Sequence, residues 1–418
     1  MPENEIITAL DIGTTKVCCL VATPSAENGV NIIGIGNAQS TGVSKGMVTN
    51  VERTVNSIRA AVREAELMAG IKIKKVFLGI AGGNVVCFNS HGVVGVRDTR
   101  ARVITEEDRR RVELSAMSGE FPPDRELLHS IPQEYAVDGQ TDILNPVGMT
   151  GVRLEVNMHI TTVSINAIQN VLNCANLAGL NVEEDDVVLE SLASAESVLY
   201  PSEKEMGVAI LDFGGGTLDL GIFVNGCIRH TKVLNLGGDS LTRDIFVILR
   251  TTMEAAETLK INEGCCSRAL LPEDSEFIKI PGMVGENQVV SREVLCDILS
   301  CRVEEIFSYV NQELIVSGYD KQVMEIVITG GSSLLKGVPE VATEIFERQV
   351  RVGYPMYVQG FASLVTNPKF STALGLLLYA YRRDYALERR ALVSPRKPKG
   401  FFGSIFDRFI RGPERRSV

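Results

Sequence analysis

The sequence predicts an α/β protein in which one domain occurs twice and a small α+β segment interrupts the first copy. Three observations predict it. A pattern of strand, Asp-Gly turn, strand, Asn-Gly hairpin and strand is present twice, residues 84–163 interrupt the spacing after the first copy, and a basic, phenylalanine-rich segment follows residue 393. The chain has 418 residues, of which 45% are hydrophobic and 22% charged, and this is enough for two or more domains.

Each copy places an Asp-Gly turn between two apolar runs. The first turn is residues 11–16 (DIGTTK) and the second is residues 212–219 (DFGGGTLD). An Asn-Gly pair then precedes a third apolar run in both copies, which is a strong hairpin signal. Asp11 and Asp212 are 201 residues apart (212 − 11), so we interpret the pattern as a duplicated domain. The predicted strands are residues 6–10, 17–22 and 30–35, and then 208–211, 220–224 and 227–236.

Both turns contain the residue types that bind polyphosphate. Glycine lets backbone N–H groups approach closely, threonine adds hydroxyl donors, and an aspartate at a strand end can hold Mg²⁺ through water. A single Asp-Gly turn would be an ordinary hairpin, but two facing turns would clamp the phosphates of one nucleotide. A Thr-Gly-Gly turn after the apolar run 325–328 would lie beside the base or the α-phosphate. The predicted nucleotide-binding residues are Asp11, Gly13, Thr14, Thr15, Lys16, Asp212, Gly214, Gly215, Gly216, Thr217, Gly330, Gly331 and Ser332, with Asp11 and Asp212 holding the metal through water.

A short strand and a helix of small residues lie between the two copies. Residues 187–189 predict the strand, and residues 190–196 (ESLASAE) begin the helix. Small residues let helices pack closely, which indicates a hinge helix between domains. Glu190 stands at the junction of strand and helix, where a carboxylate could also orient an attacking water. The catalytic hypothesis is limited to this residue.

Composition and charge exclude several classes of protein. The net charge of −10 speaks against a nucleic-acid-binding protein, because phosphate contacts need a basic face. The nine cysteines include no CxxC pair, so neither a zinc site nor a disulfide framework is indicated, and a reducing cytosol fits best. The N-terminus lacks a signal peptide, and the longest apolar run, residues 373–381, is far below the roughly 18 residues of a membrane-spanning helix.

The C-terminal segment differs in charge from the rest of the chain. Residues 394–418 carry seven basic and two acidic residues, a net charge of +5, so residues 1–393 sum to −10 − 5 = −15. Residues 394–400 predict a proline-rich basic linker, and residues 401–411 an amphipathic helix. Eleven helical residues span only about 16 Å, which is too short to cross a hydrocarbon layer of about 30 Å. The helix would therefore lie in the surface of an anionic membrane, although an apolar stripe more ordinarily packs on the protein's own core. The predicted membrane-binding residues are Phe401, Phe402, Ile405, Phe406, Arg408, Phe409, Ile410 and Arg411.

The two phosphate turns, the connecting helix and the Thr-Gly-Gly turn together resemble the actin, sugar-kinase and heat-shock ATPase superfamily, with residues 371–376 (STALGL) as a second connecting helix. This resemblance implies an actin-like fold of two ribonuclease-H-like domains around a nucleotide cleft that binds ATP and Mg²⁺. The sequence departs from the superfamily pattern at Ser332, where a third glycine is common. The resemblance also implies a pocket for the ribose and adenine. The residues that it assigns to this pocket are Gly237, Gly238, Asp239, Glu257 and Lys260.

Residues 84–163 narrow the resemblance to one family. They predict a strand at 91–96, a helix at 106–118 capped by Thr105, and strands around 127–137 and 152–163. The motif NPVGMTGVRLEVNMHIT at 145–161, with GIG at 34–36 and STGVSKG at 40–46, is similar to the FtsA family of bacterial cell-division proteins. The resemblance runs from about residue 6 to residue 409. It implies that the inserted segment serves self-assembly and the recruitment of later division proteins.

The same resemblance assigns a partner site. Residues 291–316 predict a mostly buried helix with Ser291 as its N-cap. On this helix, Arg302 and Glu305 match family positions that hold the C-terminal tail of the tubulin-like protein FtsZ. Without the resemblance they would be a solvated ion pair.

The function implied is a polymerising adaptor that ties the FtsZ ring to the cytoplasmic side of the inner membrane at the division septum, with slow ATP turnover at most. A sugar or acid kinase would need a catalytic acid–base on a substrate domain, and no such constellation is evident. A chaperone would need a β domain after residue 390, where 28 residues remain. The closest rival is a pilus-assembly adaptor, which has the same insertion but typically lacks a membrane-seeking tail.

These inferences divide the chain into five parts. The first actin-like domain is predicted to comprise residues 1–83, 164–195 and 371–393, the inserted α+β subdomain 84–163, the second actin-like domain 196–370 with 236–320 as its small subdomain, the linker 394–400, and the membrane-binding helix 401–411.

Overall fold

In the computed structural model of the protein, two β-sheets repeat one strand order, one sheet from each half of the sequence. The structure describes residues 6–25, 29–96, 101–119, 122–271, 277–282 and 287–393. The predicted linker and amphipathic helix, and Asn28 of the first hairpin, lie outside these ranges. Residues 1–380 form one compact unit, which contains the candidate site. The helical segment 381–393 belongs to a second unit.

In the described part of the chain, the strands are β1 Ile7–Ile12, β2 Lys16–Pro24, β3 Val30–Gln39, β4 Val43–Ser44, β5 Met47–Val48, β6 Phe77–Ile80, β7 Val85–Gly95, β8 Arg102–Val103, β9 Arg125–Val137, β10 Gln140–Ile143, β11 Thr150–Gly151, β12 Arg153–Ser164, β13 Val187–Leu189, β14 Val208–Phe213, β15 Leu218–Val224, β16 Cys227–Leu234, β17 Phe277–Pro281, β18 Asn287–Ser291, β19 Glu325–Thr329, β20 Gln349–Val352 and β21 Val358–Gly360. Over the same residues the α-helices are α1 Val51–Ala69, α2 Glu106–Met117, α3 Ile165–Leu177, α4 Glu190–Val198, α5 Pro201–Met206, α6 Gly238–Leu249, α7 Met253–Glu263, α8 Arg292–Ser317, α9 Val338–Phe346, α10 Ala362–Val365 and α11 Ser371–Val393.

The two large sheets confirm the duplication. The first has the order β13-β6-β1-β2-β3-β21, and the second has the order β16-β15-β14-β19-β20. In both, the three strands of the predicted pattern pair antiparallel, and two parallel strands follow on the other side of the first strand. Strand β21 lies within the range predicted for the second domain, yet it pairs with β3 and extends the first sheet.

The inserted segment forms a separate antiparallel sheet with the order β10-β9-β12-β7, against which α2 packs. The predicted cap of α2 is present, because Thr105 and Asp108 bond reciprocally to each other's backbone N–H groups in a capping box. Strand β7 begins at Val85, six residues before the predicted start, because it pairs with β12 along its whole length.

Local signals determine the ends of two long helices. Helix α1 begins at Val51, because the side chain of Asn50 accepts the backbone N–H of Arg53. It ends at Gly70, whose φ of 69° only glycine adopts freely. Helix α8 begins after Ser291, the predicted N-cap, and buries its apolar face in the core of the second half.

The two connecting helices α4 and α11 cross at very short range. A Cβ atom on Gly375 would overlap the carbonyl group of Ala193, so only glycine fits there. At the same crossing the Ser197 hydroxyl donates to the Ser371 carbonyl oxygen at 2.7 Å. The small residues of α4 therefore serve close helix packing, as predicted.

Candidate functional site

The two Asp-Gly turns have the same backbone geometry. In the first, the Gly13 N–H donates to the Lys16 carbonyl oxygen at 2.9 Å, and in the second the Gly214 N–H donates to the Thr217 carbonyl oxygen at 3.0 Å. Each turn joins two antiparallel strands whose first members end in the predicted aspartates. The repeat in the sequence is therefore also a repeat in structure.

The structure brings the two turns into direct contact. A Cβ atom on Gly215 would overlap the side chain of Thr15, and one on Gly216 would overlap that of Thr14. The Thr14 hydroxyl also accepts the backbone N–H of Gly46 at 3.1 Å, from the turn between β4 and β5. A phosphate chain that passes between the turns must therefore separate them.

Behind the turns lie the predicted aspartates, both buried. Asp11 forms an ion pair with Lys16 at 2.6 Å, and although burial opposes it, the charge of Asp11 raises the pKa of the lysine. Asp212 accepts hydrogen bonds from Thr372, at 2.9 Å, and from Ser194. Burial raises the pKa of Asp212 even though these two hydroxyls stabilise its charged form.

Glu190 is the first residue of α4, as predicted, and its carboxylate belongs to the same acidic cluster. A Cβ atom on Gly79 of β6 would lie 3.3 Å from Glu190 Cγ, so the side chain lies over the end of the first sheet. Burial raises the pKa of Glu190 well above its usual range, and the charges of Asp11, Asp219 and Asp212 raise it further. A carboxyl with a raised pKa accepts a proton more readily than an ordinary glutamate does.

The sequence analysis missed one member of this cluster, Asp219. It lies on β15 opposite Asp212 and is 2% exposed, and its Oδ1 has no hydrogen-bond partner among the described residues. Burial, together with the charge of Asp212, raises the pKa of Asp219 to about 8. The available signal was the last residue of DFGGGTLD, because alternate residues of a strand face the same side and Thr217 was already assigned to the site.

Four carboxylates and one lysine thus converge behind the turns. Within the described residues, no three His, Cys, Asp or Glu side chains are placed to bind one metal ion directly. A divalent cation at this position would take most of its ligands from water and phosphate, which suits Mg²⁺. The unpaired Oδ1 of Asp219 and the raised pKa values of Glu190, Asp212 and Asp219 are consistent with such a cation, because a positive charge would offset the repulsion.

The residues assigned to ribose and adenine lie beside the second turn. The backbone N–H of Gly238 donates to the Gly214 carbonyl oxygen at 3.0 Å, and that of Asp239 donates to the Gly215 carbonyl oxygen at 2.7 Å. Lys260 forms an ion pair with Glu257 at 2.7 Å and donates to the Gly238 carbonyl oxygen at 3.1 Å. These predicted residues therefore form one continuous surface with the turn.

The Thr-Gly-Gly turn contacts the same surface from the other side. The Ser332 hydroxyl donates to the Gly214 carbonyl oxygen at 2.8 Å. Ser332 stands where the superfamily commonly has a third glycine, and here its side chain serves as a hydrogen-bond donor. Gly330 has a φ of 84°, and a Cβ atom there would overlap the carboxylate of Asp212. Gly331, the next residue, begins a short 3-10 turn.

Arg302 lies elsewhere on the second half, on α8. Its guanidinium binds both carboxylate oxygens of Asp244, at 2.5 and 2.9 Å, and also contacts Glu305. An open pocket of about 400 Å³ adjoins this ion pair. The pocket is lined by Asp244, Ile248, Asp297, Ile298, Cys301, Arg302 and Glu305. Three of these side chains are carboxylates, so the rim of the pocket is not basic.

Among the described residues, none of the helices combines the length and the apolar character that crossing a bilayer requires.

Comparisons with known proteins agree on one family. The family described as "Cell division protein FtsA" matches residues 209–375, and the one described as "SHS2 domain inserted in FTSA" matches residues 82–162. The cell division protein FtsA of Pseudomonas aeruginosa is 43% identical over 385 residues, covering 91% of each chain. The FtsA proteins of Escherichia coli K12 and Bacillus subtilis are each 34% identical and cover 90% and 91% of this chain, and 90% and 85% of their own.

Solved structures with the same fold are more distant. A "PilM-PilN type IV pilus biogenesis complex" is 17% identical with a TM-score of 0.64, covering 89% of this chain and 98% of that one. MreB5 of Spiroplasma citri bound to ADP is 15% identical with a TM-score of 0.54, covering 93% and 99%. At these identities the likeness shows the fold alone, and the predicted actin-like α/β fold with an α+β insertion is confirmed.

Proposed function

Because this chain belongs to the FtsA family of cell-division proteins, we propose that it is an ATP-binding, polymerising adaptor that ties the FtsZ ring to the cytoplasmic membrane. A role in cell division follows from the family. The ligand, the partners and the attachment to the membrane are the proposal, and each rests on a different part of the chain.

The contact between the two turns carries the proposal of nucleotide binding. Thr14 and Thr15 of one half lie directly against Gly216 and Gly215 of the other, so a single phosphate chain between them would touch both halves. Backbone N–H groups and hydroxyls would bind the phosphates, and Lys16 would add a positive charge. Two MreB structures of this fold hold ADP and AMPPNP, which is consistent with a nucleotide here.

Nucleotide binding would change the relation between the halves. The turns touch in this structure, so phosphates must take the place of the contact between Thr14 and Gly216. Each turn joins two strands of one large sheet, β1 to β2 in the first half and β14 to β15 in the second. A change in the distance between the turns therefore moves the two sheets relative to each other. We infer that ATP selects the arrangement of the halves that polymerises.

Turnover of ATP would be slow, with Glu190 orienting the attacking water. Burial holds the pKa of Glu190 well above its usual range, which favours the neutral carboxyl over the carboxylate in the absence of a cation. Mg²⁺ bound with ATP would supply a positive charge that favours the ionised carboxylates of Asp212 and Asp219. Activity would therefore require the full complex of nucleotide and cation.

The pocket beside Arg302 is the proposed site for the FtsZ C-terminal peptide. An acidic group on the peptide would compete with Asp244 for the guanidinium, and Ile248 and Ile298 offer an apolar floor. Since Asp244, Asp297 and Glu305 repel an acidic peptide, binding here would be modest unless Arg302 exchanges its partner.

Attachment to the membrane is proposed from the sequence of residues 401–411. Each basic residue near an anionic surface adds about 1 kcal/mol and each partly buried Phe or Ile a similar amount, so a single helix binds reversibly. Polymerisation would place many such helices on one surface and convert weak binding into firm attachment. The inserted subdomain would serve self-assembly and the recruitment of later division proteins.

The rival function, a pilus-assembly adaptor, has less support. The pilus biogenesis structure shares only its fold with this chain, at 17% sequence identity. The relatives that are 34% to 43% identical over about 90% of the chain are cell-division proteins.

Reconstitution tests the proposed function as a whole. The full chain is mixed with fluorescent FtsZ and vesicles containing anionic phosphatidylglycerol, and the FtsZ that floats with the vesicles is measured with and without Mg·ATP. We expect FtsZ on the vesicles in the presence of the chain and more of it with Mg·ATP. FtsZ that lacks its C-terminal peptide is the control. Equal flotation of FtsZ with and without the chain would refute the adaptor role.

A further inference from the structure

A histidine of the inserted sheet reaches the junction that carries Glu190. His129 lies on β9, and its Nε2 accepts the backbone N–H of Leu189 at 3.0 Å, although the two residues are 60 positions apart. Leu189 is the last residue of β13 and directly precedes Glu190. The imidazole also lies against the ring of Tyr379 on α11, with ring centroids 6.3 Å apart.

This contact requires a neutral imidazole with an unprotonated Nε2. A nitrogen that accepts an N–H bond carries no proton itself, so the proton of the neutral ring is on Nδ1. Partial burial lowers the pKa of His129 to about 4, which keeps the ring neutral at physiological pH. The acceptor is therefore permanently available in the cell.

The Leu189 side chain is buried in the core, but its backbone N–H depends on His129 for a hydrogen bond. Strand β13 is an edge strand that pairs only with β6 among the described strands. Helix α4 has no side-chain cap, because its N-cap residue is Leu189 itself. The Leu189 N–H would thus have no partner in the sheet, and a rotation of this peptide would displace the Glu190 side chain from the acidic cluster. Displacements of about 1 Å are enough to impair a catalytic group.

The sheet that carries His129 also forms hydrogen bonds with the second half of the molecule. A second histidine of the sheet, the buried His159, is hydrogen-bonded through Nε2 to the Thr231 hydroxyl of β16 at 2.9 Å. Gln133 donates to the Ile228 carbonyl oxygen of the same strand at 2.8 Å. Strand β16 leads directly to Gly237 and Gly238 beside the second phosphate turn. The inserted sheet therefore touches the strand before the nucleotide pocket on one side and the Glu190 junction on the other.

We propose that His129 is a positioning residue that holds Glu190 in the acidic cluster and couples the inserted subdomain to ATP turnover. The coupling rests on the proposed role of Glu190, whereas the link between His129 and Leu189 is independent of it. Any partner that shifts the inserted sheet would move the Leu189 peptide and alter the turnover rate, without touching the phosphate turns.

Two variants of the full chain test the link. His129→Leu removes the acceptor at similar volume, and His129→Gln keeps one, because the glutamine Oε1 reaches about the position of Nε2. For each variant, calorimetry measures ATP affinity, a phosphate-release assay measures kcat and KM, and hydrogen exchange by mass spectrometry follows the peptides that contain Leu189. For His129→Leu we expect at least about tenfold faster exchange at Leu189 and a roughly tenfold lower kcat, with ATP affinity and KM within about twofold of wild type. His129→Gln should stay near wild type in all measurements.

His159→Leu is the matched control, because it removes a second histidine of the same sheet without touching Leu189. We expect it to lower the melting temperature and to leave exchange at Leu189 unchanged. If His129→Leu does not fold, His129→Asn, whose side chain is too short to reach Leu189, replaces it.

The two parts of the proposal fail in different ways. Unchanged exchange at Leu189 in His129→Leu would overturn the link itself. Faster exchange with a wild-type kcat, while Glu190→Gln is inactive, would overturn the positioning role. A Glu190→Gln protein as active as wild type would overturn the proposed function of Glu190 and the coupling with it, and the exchange data would still decide whether His129 holds the junction.

Discussion

Asp212 on β14 lies directly opposite Asp219 on β15, whereas in the other half the corresponding Asp11 lies opposite Cys18. Two carboxylates on neighbouring strands in a buried site repel each other, and burial together with Asp212 raises the pKa of Asp219 to about 8. The pKa of Cys18 is also raised, by burial, to about 12, so its thiol is neutral. The two halves therefore differ at this position, because the second half has two facing carboxyl groups and the first has one. A bound cation would stabilise the second half more than the first.

We predict that Asp219→Asn reduces the dependence of ATP binding on Mg²⁺. The change removes the carboxyl that a bound cation would favour in its ionised form beside Asp212, so the cation is stabilised less at that position. Thermal unfolding with ATP should show a smaller increase in melting temperature on addition of Mg²⁺ than in wild type. Cys18→Ser, the change at the corresponding position of the other half, should leave the increase as it is. A full Mg²⁺ effect in Asp219→Asn would contradict the placement of the cation.

We predict that Gly216→Val weakens ATP binding. The branched side chain would occupy the space of Thr14 and of any phosphate between the turns. Overpacking of this kind costs about 1–3 kcal/mol, which corresponds to a loss of affinity of roughly 5- to 150-fold in calorimetry. Gly95→Val is a matched control, because a Cβ atom at Gly95 meets no atom within 4 Å and its φ is not positive. Wild-type affinity in a folded Gly216→Val protein would show that phosphates do not pass between the turns.

We predict opposite effects of Arg302→Glu and Asp244→Asn on binding of the FtsZ C-terminal peptide. Arg302→Glu adds a fourth negative charge to the pocket and should weaken binding about tenfold or more, because charged hydrogen bonds contribute roughly 1.5–3 kcal/mol. Asp244→Asn releases the guanidinium from its bidentate partner and should strengthen binding several-fold. Fluorescence anisotropy with a labelled peptide measures both. If neither change alters the anisotropy curve, the peptide binds elsewhere, and the nucleotide site is unaffected by that result.

We predict that acidification weakens the contact between the inserted sheet and β16. Burial lowers the pKa of His159 to about 4, below the ordinary value of about 6.5 of the unfolded chain. Because the pKa of His159 is lower in the folded protein than in the unfolded chain, its contribution to the free energy of unfolding is present above about pH 6.5 and is lost as the pH falls toward 4. The free energy of unfolding should fall by roughly 3 kcal/mol over this range. Denaturant unfolding at several pH values should show this decline, and His159→Gln should reduce it. A stability that is level from pH 7 to 4 would contradict the neutral buried state.

We predict that residues 394–418 attach the protein to anionic vesicles. Wild type should float with them, whereas a chain ending at Val393 and the double variant Phe402→Glu, Phe406→Glu should not. Gly403→Glu with Ser404→Glu places the same two charges on the polar face of the predicted helix and should retain most of the binding. Equal flotation of all four proteins would refute the membrane-binding helix.

Much of the site was predictable because it is built from short-range patterns. The two turns, the junction at Glu190 and the Thr-Gly-Gly turn are contiguous motifs, and each motif has its own backbone chemistry. Their convergence was predictable only because the motif occurs twice. Asp219 was missed because one aspartate in a strand has no distinguishing pattern, and its importance comes from its burial and from Asp212 opposite.

The sequence by itself determined the elements that local chemistry controls: the duplicated strands, the caps at Thr105 and Ser291, and the turns that end in Lys16 and Thr217. Hydrogen bonds between near neighbours and the alternation of apolar residues encode these features directly. Only the tertiary structure decided which charges are buried and which groups pair over long distances. Asp244 lies 58 residues from Arg302, and Leu189 lies 60 residues from His129, so both pairs depend on the packing of separate sheets and helices. No local pattern specifies such partners, because desolvation and long-range contacts exist only once the chain has folded.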